Sequence, residues 1–388
     1  MQTNVGKMVD ESIQCRYNQG GRHEAKGIIP TRGEIGVTDS SIKTASYQDN
    51  PFKLIEPDDL GVLSSTRWVV ERADNVWINR DRLEHVCNEF LTQYTPPSEA
   101  TWYERFHFHD GTERTVNWLL VLDALNFCFW AEKGQPRWRI DYQGEILDGY
   151  WAEAAALTRA VEEGIALWDA RYLSSMSRED LAHIFRSVPA ADGAAGAMIP
   201  LFEQRLEHVH EVGRVLVERY DGQFAHAVEH AGGDAVKLAL LLVQDFSSFR
   251  DVAFYRGREV RFFKRAQICV ADLHGAFGGK RWGAFTNLDK LTIFADYKLP
   301  QILRQYNVLA YHANLAERVD NQELLEPGGE AEVELRAATI WACELLRREM
   351  SRAAGREITA VEIDQLLWYL GQNASGMRPY HRTRTIYY

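Results

Sequence analysis

Two stretches of this sequence carry side chains suited to chemistry at a charged centre. In Phe262-Phe263-Lys264-Arg265-Ala266-Gln267 a lysine opens a helix, and in Phe294-Ala295-Asp296-Tyr297-Lys298-Leu299-Pro300 an aspartate precedes the next one. A carboxylate fixed at a helix entrance can stabilise positive charge as it develops on a reacting carbon. It can also orient or deprotonate an attacking water. The same Asp296 fits equally as a plain N-cap of the following helix, because Asp accepts hydrogen bonds from first-turn N–H groups. Residue type alone does not separate the two. His107-Phe108-His109-Asp110 offers metal-binding side chains, but a metal site needs more ligands at suitable spacing, so no metal is expected. Gly278-Gly279-Lys280 lacks the hydroxyl residue and the spacing of a phosphate-binding loop.

The elements that must position these residues are read from hydrophobic period and turn signals. Residues 1–60 are rich in Gly, Ser, Asn and Asp with no sustained period, and are expected to be an extension outside a folded domain spanning 61–388. Helical spacing predicts helices over 81–92, 115–129, 152–163, 198–220, 235–246, 264–273, 299–309, 330–352 and 360–370. Gln143-Gly144 and Arg256-Gly257 sit between short β-prone runs and predict two hairpins. Asp234 is placed to cap the helix that follows it. Ala190–Ala197 reads as a loop, and the tail 377–388 is aromatic and basic. The class expected is mainly α, an α-rich α+β fold with small β-hairpins.

Composition narrows the function. The 388 residues are 46% hydrophobic and 26% charged, enough for a substantial core. The net charge of -11 disfavours a nucleic-acid binder, whose affinity rests on neutralising phosphates. It favours a small substrate, with no direct nucleic-acid partner. No apolar stretch reaches the length of a membrane span, so no membrane partner is expected. The start of the chain has no secretory h-region. The five cysteines, Cys15, Cys87, Cys128, Cys269 and Cys343, form no C-x-x-C pair, which points to reduced thiols and a cytoplasmic location.

The Lys264 and Asp296 layout is similar to that of the helix–hairpin–helix DNA glycosylases, although the linking segment is longer and the Gly-rich hairpin is missing. N-glycoside cleavage places positive charge on the sugar, where a fixed carboxylate stabilises it. The larger resemblance is to the queuosine 5′-phosphate N-glycosylase/hydrolases, the queuosine salvage family. It runs from about Ser64 to Tyr388. It is carried by Val116-Asn117-Trp118, by Leu125-Asn126-Phe127 through Trp130, and by Gly149-Tyr150-Trp151. Phe263 through Ile268, Phe294-Ala295-Asp296-Tyr297 and the ending from His381 to Tyr388 complete it.

The resemblance implies a fold related to those DNA glycosylases, acting on a mononucleotide with no cofactor. It implies hydrolysis of queuosine 5′-monophosphate to queuine and ribose 5-phosphate. Asp296 would be the catalytic carboxylate, as nucleophile or transition-state stabiliser. Phe294 would pack on the base, His107 would contact it, and Asp364 falls where the family binds queuine. Where relatives carry a second Asp on that helix, this chain has Tyr369, which hydrogen-bonds without a charge near neutral pH. The 5′-phosphate needs cationic donors; Lys264, Arg265, Lys298, Arg382 and Arg384 are candidates, with Lys264 and Lys298 preferred for their nearness in sequence to Asp296. Two other functions fit parts of the sequence: a non-catalytic queuine carrier, and a glycosylase-like protein that engages tRNA.

Overall fold

A computed structural model describes residues 50–93, 105–189, 196–373 and 376–388. Most of the expected extension, Cys15 and residues 190–195 of the expected loop lie outside the described residues. Contact clustering sets Phe52–Tyr388 apart as one unit. Its first helix, α1 (Val62–Val70), is Ser-, Thr- and Val-rich and has little intrinsic propensity. It forms because it lies on the long helix Glu330–Ala354, where Trp341 Nε1 donates to the Leu63 carbonyl at 3.2 Å. Strand β1 (Val76–Ile78) and helix α2 (Arg80–Gln93) follow.

Helix α3 (Glu113–Leu125) is buried at every position from Thr115 to Leu125, so it is the central helix of the fold. Helical period alone extends it to Phe129, but it stops at Leu125. Two buried arginines end it by taking its final carbonyls, the groups a helix leaves without partners. Arg265 donates to the Asp123 carbonyl at 2.9 Å and to that of Ala124; Arg205 donates to those of Leu125 and Phe127.

The predicted hairpin at Gln143-Gly144 is present as β2 (Arg139–Tyr142) and β3 (Glu145–Asp148). It feeds α4 (Gly149–Glu162), then the short helices α5 (Ala170–Ser174) and α6 (Arg178–Ile184). Helix α7 (Phe202–Arg219) starts four residues later than its period suggests, and α8 (Phe224–Ala231) was not foreseen. Helix α9 (Ala235–Asp245) begins as predicted, with the Asp234 side chain accepting from the Lys237 N–H at 2.9 Å.

The second predicted hairpin, β4 (Val252–Tyr255) with β5 (Arg258–Arg261), leads into α10 (Lys264–Ala276). Helix α11 (Lys298–Gln305) ends before the predicted Leu309, because Leu309 begins strand β6 (Leu309–Tyr311), paired with β1. After α12 (Ala313–Asp320) and β7 (Leu324–Leu325) come the long α13 (Glu330–Ala354) and α14 (Ala360–Asn373). Strand β8 (Arg382–Thr383) pairs in parallel with β7. The fold is mainly α with small two-stranded pairs. No described helix is long and apolar enough to cross a membrane.

Candidate active site

The site is built where the start of α10, the segment 291–297 and α14 converge. Phe263, with φ 52°, holds the left-handed conformation that bulky residues avoid, at the residue before α10. Its N–H and that of Phe262 both donate to the Asp251 carbonyl, at 3.2 and 3.0 Å. The Asp251 side chain accepts the Lys264 N–H at 3.2 Å and the buried Arg336 guanidinium bidentately at 2.8 and 2.6 Å. Arg336 then donates from Nε to the Ala295 carbonyl at 3.1 Å. One buried ion pair therefore ties Lys264 to the residue before Asp296. Gln267, one turn into α10, makes the second tie: its Oε1 accepts the Thr292 N–H at 2.7 Å.

Asp296 Oδ1 accepts the N–H groups of Lys298 and Leu299 at 2.7 and 2.9 Å. The capping expectation is thus met, but by one oxygen only; Oδ2 makes no hydrogen bond among the described residues. The carboxylate keeps partial exposure and stands in electrostatic reach of Lys264, Lys298 and Asp364. Burial holds the Lys264 ammonium below its usual value, with Asp296 acting against that shift.

Asp364 is no solvated helix charge. Its Oδ1 accepts the Phe294 N–H at 2.9 Å, and burial pushes its carboxyl up to about 8 against the pull of that N–H, with the Asp296 charge adding to the rise. Gly371 permits this approach of α14 to α11: a Cβ there would stand 3.2 Å from two carbons of Ile302. Phe294 is buried, and its N–H is the group that Asp364 accepts.

An aromatic wall faces these groups. His107 is buried, with Nε2 2.8 Å from the Tyr150 hydroxyl and its ring edge-on to Trp118. Tyr150 and Trp151 both meet Trp368, which lies one turn beyond Asp364 on α14. Tyr369 departs from this group: its ring is 58% exposed. His109 is turned onto Phe277, and Asp110 is engaged by the Thr112 and Thr115 hydroxyls, so the His-Phe-His-Asp run is dispersed. Among the described residues no three His, Cys, Asp or Glu gather as a metal-ligand set.

The cationic candidates separate clearly. Arg265 is a structural cap of α3, and Arg384 is paired with Glu132. Lys298 lies 5.3 Å from the Tyr380 ring centre, and burial lowers its pKa. Arg382 lies over Trp130 with Nε and Nη1 buried and without partners among the described residues. Tyr150, Trp368 and the Asp251–Arg336 pair were not singled out as site residues from sequence. Trp368 had a usable signal, its i+4 spacing from Asp364. The ion pair spans 85 residues and had none.

A family model described as queuosine salvage protein matches residues 106–388. A Sphaerobacter thermophilus protein named queuosine 5′-phosphate N-glycosylase/hydrolase is 49% identical over 333 residues, covering 85% of this chain and 98% of the relative. Proteins of the same name from Mus musculus and Dictyostelium discoideum are 35% and 33% identical, over 84% and 87% of this chain and 97% and 100% of theirs. With matches of this extent, and with the matched segment holding every group of the site just described, the chain belongs to the queuosine salvage protein family.

Proposed function

We propose that this protein hydrolyses the N-glycosidic bond of queuosine 5′-phosphate, releasing queuine and ribose 5-phosphate. The observation that carries the reading is the division of labour at Asp296: one oxygen fixes the helix entrance and the other is left to act. Held in this way, the carboxylate stabilises the oxocarbenium-like sugar or attacks it, and water completes the hydrolysis. Phe294 gives the base a stacking face, an interaction worth about 1–3 kcal/mol. His107 contacts the base from the aromatic wall.

Queuine carries a secondary amine that is cationic near neutral pH. Asp364 meets it with a charge-assisted hydrogen bond, giving up its proton as the cation arrives. Tyr369, at the exposed rim, offers a hydroxyl to the same end of the ligand. Lys264 and Lys298 supply charge to the 5′-phosphate, and Arg382, whose Nε and Nη1 have no partner among the described residues, is a further planar donor for it. The acidic chain suits a free nucleotide better than a polynucleotide.

The test is incubation of purified protein with queuosine 5′-phosphate and chromatography for free queuine, with Asp296→Ala alongside. Release by the wild type alone supports both reaction and residue. Tight queuine binding without release turns the reading to a carrier.

A further inference from the structure

Helices α3, α4 and α10 carry buried acids that the proposed chemistry does not use. Asp123 on α3 is fully buried, and apart from the Cys269 thiol, a weak donor, its carboxylate oxygens meet no hydrogen-bond donor among the described residues. Glu153 on α4 is fully buried as well, with Arg205 at 3.2 Å from Oε1 and nothing on Oε2. Asp272 on α10 has its Oδ2 shielded from solvent and likewise without a partner. An unsatisfied buried polar group costs about 1–3 kcal/mol, more when charged. Apolar residues of similar volume would serve the fold better, so a stability role does not account for them.

Asp272 is linked to the site by its place on α10 and by its charge. It follows Lys264 by two helical turns, which puts both residues on one face of α10. Its charge acts on both Asp364 and Tyr150, the partner of His107. Lys264 is the neighbouring cation. The surroundings of Asp364 and Lys264 are therefore rich in acceptors short of donors, and a ligand matched to them must bring N–H donors. A 7-deazaguanine ring presents two side by side, its ring N–H and its 2-amino group, and one carboxylate spans both. The amine of the queuine side chain is a separate donor, already met by Asp364 on a different helix.

Building on the proposed function, we infer that Asp272 is a specificity-determining residue that takes the paired N–H edge of the 7-deazaguanine ring. It selects bases with a 2-amino group over those without one. Asp123 backs Asp272, with the Cys269 thiol beside it.

The test measures calorimetric binding of queuine, 7-deazaguanine and 7-deazahypoxanthine to the full chain. Wild type favours 7-deazaguanine over 7-deazahypoxanthine by about 10- to 100-fold, the range for charge-assisted hydrogen bonds. Asp272→Asn brings that ratio close to one, while Asp364→Asn weakens queuine and leaves the ratio intact. A preference kept by Asp272→Asn overturns the inference, as does a wild type that cleaves queuosine 5′-phosphate yet binds both simple bases equally. The latter outcome removes the role of Asp272 and leaves the proposed reaction standing. A wild type that neither cleaves the nucleotide nor binds any of the bases removes both. The wild-type ratio needs no variant, so the inference stays testable if Asp272→Asn does not fold.

Discussion

Replacing Asp296 by Asn and by Ala separates its two duties. Asn keeps a side-chain oxygen for the Lys298 and Leu299 N–H groups but loses the charge; Ala loses both. A lost cap costs about 1 kcal/mol, which for a unit running from Phe52 to Tyr388 lowers Tm by about 1–2 °C. The charge is worth more. A carboxylate about 4 Å from a sugar cation, at an effective dielectric constant of about 20, stabilises it by about 4 kcal/mol. At about 1.4 kcal/mol per decade, removing it slows turnover about a thousandfold. Both variants should therefore lose about three orders of magnitude in queuine release under single-turnover conditions, while only Ala melts earlier. If Asn keeps activity within tenfold and Ala does not, Asp296 is a cap alone and the catalytic assignment is wrong.

Further outcomes follow from other groups. With its carboxyl at about 8, about nine in ten Asp364 side chains carry a proton at pH 7; binding of cationic queuine should therefore release close to one proton, read as a dependence of calorimetric heat on buffer ionisation enthalpy. Because that pKa is raised in the folded state, the free protein should lose stability as pH rises from about 4 to about 8, and a melt series in which Asp364→Asn has the same slope as wild type would refute the assignment. Lys298→Ala should lower kcat/KM for the 5′-phosphorylated substrate by about 10- to 100-fold, with the nucleoside unchanged. Asp251→Ala strands the buried Arg336 charge and should cost about 3–5 kcal/mol in denaturant unfolding; a loss under 1 kcal/mol would show that the strut does not hold the site.

Local signals in the sequence determined a good deal. Both hairpins follow from turn pairs whose residues adopt positive φ, Gln143-Gly144 and Arg256-Gly257. The Asp234 cap, the starts of α10 and α11, and the core of α13 follow from capping and from the 3.6-residue period. The resemblance strings likewise pointed to the family whose model matches residues 106–388. All these signals reach only a few residues along the chain.

The tertiary structure decided what depends on distant partners. Helix α3 stops at Leu125 because guanidinium groups from α7 and α10 take its carbonyls, and no local residue announces that. Strand pairs β1–β6 and β7–β8 join segments far apart in sequence. Asp364 reads as a surface charge until α14 packs it against the Phe294 backbone, and only that desolvation makes it an acid near neutral pH. Asp123 and Asp272 gain meaning in the same way, since a carboxylate short of donors is conspicuous only once burial has taken its water away.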